Sequence, residues 1–150
     1  MENKELDKEK ITEQEQVTDE MIMNRIYLLR GQKVMIDVDL VKLYQLKTAE
    51  LRTLIGKNAH RFAEDFIFKL NREDELSLMR QDNMIRIDTK VRVYPYAFTE
   101  QGLTVLSGLL KSVESVEVNK RIIRIFALIR SILPDFPELY REMNQFKERL

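Results

Sequence analysis

Gly56-Lys57-Asn58-Ala59-His60-Arg61-Phe62-Ala63-Glu64-Asp65-Phe66-Ile67-Phe68-Lys69-Leu70 closes a short helix with basic and amide side chains and turns straight into an aromatic strand. Phe66, Phe68 and Leu70 alternate onto one face of that strand. Further on, Tyr94-Pro95-Tyr96-Ala97-Phe98-Thr99-Glu100-Gln101-Gly102 brings a strand through Pro95 and starts a helix at Thr99. A hydroxyl cap followed by an acid suits the positive end of a helix dipole. Together the two stretches frame a small α+β, winged-helix-like domain, a shape suited to nucleic acid rather than to catalysis.

Working outward, Ile26–Leu29 and Lys33–Ile36 read as a hairpin around Gly31. Asp37 or Asp39 is expected to N-cap a helix in which Leu40, Val41 and Leu43 face inward. Gln45-Leu46-Lys47 makes a turn, and Thr48 is expected to cap the next helix. There Leu51, Leu54 and Ile55 form the apolar stripe, leaving Glu50, Arg52, Thr53 and Lys57 on the open side. Two short helices joined by a tight turn are the helix-turn-helix layout. Downstream, Asn71 and Asp74 have capping-box spacing. A polar stretch from Arg80 to Lys90, followed by a strand Val91–Tyr94, would make a basic wing.

Beyond the helix from Thr99 to Leu110, a second one from Ser115 to Leu133 is too apolar for a single buried face. Ile122, Phe126 and Ile129 on it are expected to meet a second copy of the chain. Pro134 ends it, and Leu139, Met143, Phe146 and Leu150 then repeat as a heptad seam. The expected organisation is an acidic, disordered tail over 1–20, a binding domain over 21–133, and a helical extension over 134–150 that begins a coiled coil.

Size and charge narrow the function. A chain of 150 residues with 44% hydrophobic content holds one cored domain plus an extension. No apolar run approaches the roughly 18 residues needed to span a bilayer, and the charged N-terminus carries no apolar signal core. The lack of cysteine suits a reducing cytoplasm. Net charge is zero overall. Residues 1–20, however, set eight acids against Lys4, Lys8 and Lys10, leaving the remainder mildly basic.

Several pieces then fall into a recognisable order: Leu29-Arg30-Gly31-Gln32-Lys33-Val34, Asp39-Leu40, Leu43-Tyr44, Lys57-Asn58, Arg61-Phe62 and Asp65 to Leu70. Pro95 to Gly102, Leu110-Lys111-Ser112 and Val118-Asn119 to Phe126 complete it. The pattern, over roughly residues 24–130, resembles the phage-type KilA-N-like DNA-binding domains, in the branch named after the N-terminal region of a phage open reading frame six. The resemblance implies a DNA-binding module of phage, prophage and bacterial proteins, with no target sequence attached. This chain departs from the pattern at Gly56, where a basic residue is usual, and at Ala63, where proline is common.

Candidate DNA contacts are therefore Thr48, Arg52, Lys57, Asn58 and Arg61, with Arg80, Gln81, Asn83 and Arg92 on the wing. Asn58 alone reads better as a helix cap. Phe62, Phe66, Phe68, Tyr94, Tyr96 and Phe98 read as core rather than as stacking platforms, and His60 as an ordinary surface histidine. No Gly-rich phosphate loop, Ser/His/Asp set or metal-ligand spacing is present, so neither an enzyme nor a cofactor or metal is expected. The expected partners are double-stranded DNA and a second copy of the chain, in the role of a transcription regulator. The alternative is a protein-interaction module, an antirepressor or adaptor acting on another regulatory protein through its C-terminal helices.

Overall fold

A tight turn joins the first two strands. Arg30 and Gly31 both have positive φ, 53° and 74°, which matches the right-handed twist of a two-residue hairpin. It links β1 (Tyr27–Leu29) to β2 (Gln32–Ile36), with Leu29 opposite Gln32. The computed structural model describes residues 17–82 and 95–132. Within them β3 (Ile67–Lys69) and β4 (Tyr96–Phe98) complete a four-stranded antiparallel sheet in the order β1-β2-β4-β3. The expected strand Val91–Tyr94 lies outside the described residues, and the returning strand that pairs with β3 is Tyr96–Phe98.

The helices are α1 (Asp19–Met23), α2 (Asp37–Tyr44), α3 (Thr48–Lys57), α4 (Arg72–Gln81), α5 (Glu100–Ser107) and α6 (Val113–Ile132). The architecture is α+β, with helices covering both faces of the sheet. Strand alternation sends Met35, Ile67 and Phe98 to one face, where α2, α3, α5 and α6 bring Leu40, Leu51, Leu103 and Ile122. Val34, Ile36 and Ala97 point the other way and meet Leu78 of α4. The Asn71–Asp74 capping box forms as expected, each backbone N–H donating to the other's side chain at 2.9 Å. Arg30 lies 4.1 Å from the Phe68 ring centre and pairs with buried Asp74 at 2.8 Å, tying the hairpin turn to α4.

Three expectations need correction. The fold starts before residue 21: Thr18 caps α1, and Val17 is buried with its carbonyl accepting a hydrogen bond from Arg121. Neither Asp37 nor Asp39 caps α2. Ile36 holds the cap position, the Asp37 carboxylate accepts from the Tyr96 N–H at 3.1 Å, and Asp39 accepts from Arg25 at 2.8 Å. Finally, Ile122 and Phe126 are fully buried in the chain's own core, because α1, α2 and α5 all pack on α6. They offer nothing to a second copy. The exposed large apolar side chains of that helix are Leu128, Ile132 and Val113, with Ile129 half-buried.

Candidate nucleic-acid interface

Burial of Leu51 and Ile55 fixes how α3 sits on the domain, so its outer surface follows from helical spacing: Ala49, Glu50, Thr53, Gly56 and Lys57 are exposed. The approach to it is tight. Gln45 takes the left-handed conformation at φ 58° and ends α2, and Leu46 then donates back to Val41 at 2.9 Å. Lys47, rather than Thr48, occupies the cap of α3, with Glu50 Oε1 accepting from its N–H at 3.4 Å. Thr48 is the first helical residue and half-buried.

At the far end Asn58 closes the helix. Its Nδ2 donates to the Leu54 carbonyl at 2.8 Å, which accounts for the amide. A short 3₁₀ turn, Ala59–Arg61, follows and leaves His60 and Arg61 exposed beside Lys57. All three side chains are exposed within five consecutive residues of the chain. Phe62 then turns inward and meets Phe98 edge-to-face, with ring centres 6.3 Å apart.

Arg52 behaves differently from Lys57 and Arg61. Its guanidinium bends inward, placing Nη2 3.7 Å from Oδ2 of fully buried Asp37. Burial raises the Asp37 carboxyl above its ordinary value of 3.8, against the lowering effects of the Tyr96 N–H and the Arg52 charge. Ionisation of Asp37 therefore works against folding. Its contribution to stability is greatest below pH 3.8 and is lost as pH rises through the higher folded value. Urea unfolding of Asp37→Asn and of the unsubstituted chain checks this. The stability difference is expected to shift in the variant's favour as pH rises from about 4 to 7, and a difference flat with pH would refute it.

Grooves flank α3 on both sides. One, of about 430 Å³, runs between the helix and the α5–α6 link, with Leu46, Leu54, Leu109 and Leu110 beneath Lys57 and Lys111. The other, of about 310 Å³, lies against Phe62, Ile67 and Tyr96, with Arg52 in its wall.

The structure divides the expected contact set. Lys57 and Arg61 are exposed together on the α3 side. Arg80 and Gln81 belong to α4, across the sheet. Gln81 is also occupied, since its amide donates to the Leu28 carbonyl at 2.7 Å and accepts from the Leu28 N–H at 2.9 Å. Asn83 and Arg92 lie outside the described residues, as do Leu139, Met143 and Phe146. Lys111 stands in the Leu110-Lys111-Ser112 piece of the sequence pattern but was not among the expected contacts; the α5–α6 link brings it to the groove beside Lys57. Among the described residues no three His, Cys, Asp or Glu side chains cluster as metal ligands, and no helix is long and apolar enough to cross a membrane.

A helix-turn-helix pair mounted on an antiparallel sheet, with a long C-terminal helix behind it, defines the class as an α+β domain with an exposed second helix. The chain belongs to the ORF6N domain family, whose model matches residues 24–109, more than half of the sequence. Neither the curated proteins nor the solved structures give a significant match.

Proposed function

We propose that this is a double-stranded DNA-binding domain of the KilA-N kind, serving a phage- or prophage-type transcription regulator. The observation that carries the reading is the exposure of Lys57, His60 and Arg61 just after a helix whose outer face is Ala49, Thr53 and Gly56, with Glu50 as its one acid. Small side chains let α3 approach the major groove closely. Lys57 and Arg61 then meet phosphates at its edge, and Thr53 faces the bases. A single mildly basic domain gives modest affinity, and pairing of two copies through Leu128 and Ile132 doubles the contact.

Fluorescence anisotropy with a mixed-sequence duplex across about 50–200 mM salt tests this. Log affinity is expected to fall linearly with log salt. Lys57→Ala and Arg61→Ala are each expected to lower the magnitude of that slope by about 0.9, and Arg80→Ala to leave it unchanged. No binding at the lowest salt by a folded chain would overturn the reading.

The second reading is a protein-interaction module, favoured by the exposure of Leu128 and Ile132, 55% and 69%. Loss of association on Leu128→Asp with Ile132→Asp, in a chain that retains no DNA, would move the assignment there.

A further inference from the structure

The groove between α3 and the α5–α6 link has a floor of apolar side chains, Leu46, Leu54, Leu109 and Leu110, and its charged lining is two exposed lysines, Lys57 and Lys111, against one acid, Glu50. It is open, and it adjoins the outer face of α3. We propose that the N-terminal segment Met1–Gln16 of the same chain docks there and competes with DNA for α3. The competition rests on the DNA-binding reading; the docking does not.

Charge, chemistry and reach select this occupant. Residues 1–16 carry six acids (Glu2, Glu5, Asp7, Glu9, Glu13, Glu15) against Lys4, Lys8 and Lys10, complementing Lys57 and Lys111. Leu6 and Ile11 are its apolar side chains beyond Met1, and they match the apolar floor. The segment is anchored close by. Val17 is held on α6, bonded through its carbonyl to Arg121 and lining one hollow with Glu114 and Val118. From Arg121 to Glu114 the helix rises only about 10 Å, and Lys111 is three residues beyond. Sixteen extended residues span up to about 50 Å, several times that separation. Tethering so near supplies an effective concentration in the millimolar range, so a weak contact fills the groove. The larger hollow lined by Arg30, Lys33, Asp65, Glu100 and Arg130 has Phe126 as its one large apolar lining side chain and lacks an apolar floor for Leu6 and Ile11.

The chain has no cysteine, so Thr12→Cys accepts a single nitroxide label in the full-length protein. Methyl resonances of Leu54, Leu109 and Leu110 are expected to broaden, while those of Leu78 on the far face of the sheet do not. Adding Leu6→Asp and Ile11→Asp should abolish the groove broadening. The same pair should tighten duplex binding about threefold at low salt. The sign of that change is diagnostic, because two added negative charges would weaken DNA binding if the segment acted by charge alone.

Absence of groove broadening overturns the proposal. So does broadening that appears only when labelled and unlabelled chains are mixed, which assigns the groove to a second copy. Groove broadening with unchanged or weaker DNA affinity in the Asp pair overturns the competition. If neither form binds DNA, the DNA-binding reading fails and the competition with it, while the docking is still decided by the label.

Discussion

Gly102→Ala is expected to destabilise the domain by about 3 kcal/mol or more, measured as a lower urea midpoint. A β-carbon at Gly102 would lie 2.4 Å from the Phe66 carbonyl oxygen and 2.9 Å from Ile67 Cγ2. The oxygen belongs to the backbone and cannot rotate away. It is also doubly engaged, accepting from the Thr99 N–H at 3.0 Å and from Thr99 Oγ1 at 2.8 Å. Thr99 Oγ1 in turn accepts from the Gly102 N–H at 3.3 Å, capping α5. Relieving the clash by moving α5 away together with its Thr99 cap breaks both bonds to the Phe66 carbonyl. Gly56→Ala is the internal control. It is exposed on α3 with nothing within 4 Å of an added β-carbon, and should gain about 0.5–1 kcal/mol of helix stability. Equal stabilities for the two variants would refute the close-approach account.

That contrast marks the boundary between what the sequence discloses and what it withholds. Devices closed within a few residues were legible: the Asn71–Asp74 capping box, the Thr99 cap and the hairpin at Gly31 each depend on neighbours in the chain. Asp37 was misread because its acceptor is claimed by Tyr96, 59 residues away, and no local pattern reports a partner at that distance. Ile122 and Phe126 were misread for a related reason. Their helix is apolar on more than one side because three other helices land on it, and an excess of apolar residues looks the same whether the cover is internal or a second copy. At the candidate site, the exposed basic side chains Lys57 and Arg61 were legible from helical spacing and composition. The inward bend of Arg52 was not, since its position on the helix leaves it free to turn either way and only the buried carboxylate decides.

The remaining large effect is expected at Asn119, where replacement by Ala should cost about 3–4 kcal/mol. Its side chain is fully buried and fully employed. Oδ1 accepts from the Tyr44 hydroxyl, and Nδ2 donates to the Leu103 carbonyl at 2.9 Å and to Ser107 Oγ at 2.7 Å. One amide thus joins α6 to α2 and to α5. Burial holds the Tyr44 phenol far above its ordinary ionisation range, so it keeps its proton and remains a donor. Truncating Asn119 leaves that hydroxyl without its acceptor in the core, the costly side of a broken hydrogen bond. Tyr44→Phe alone leaves Asn119 Oδ1 unpaired and should cost about 1–3 kcal/mol. The double variant should cost clearly less than the sum, since each single change already strands the partner of the other. Strict additivity would show that the pair is not coupled. The functional reading is that this network sets the angle of α2 on α6, and with it the direction in which α3 faces. On the proposed DNA-binding reading, a folded Asn119→Ala chain should lose DNA affinity without any change to Lys57 or Arg61, and recover part of it with Asn119→Gln.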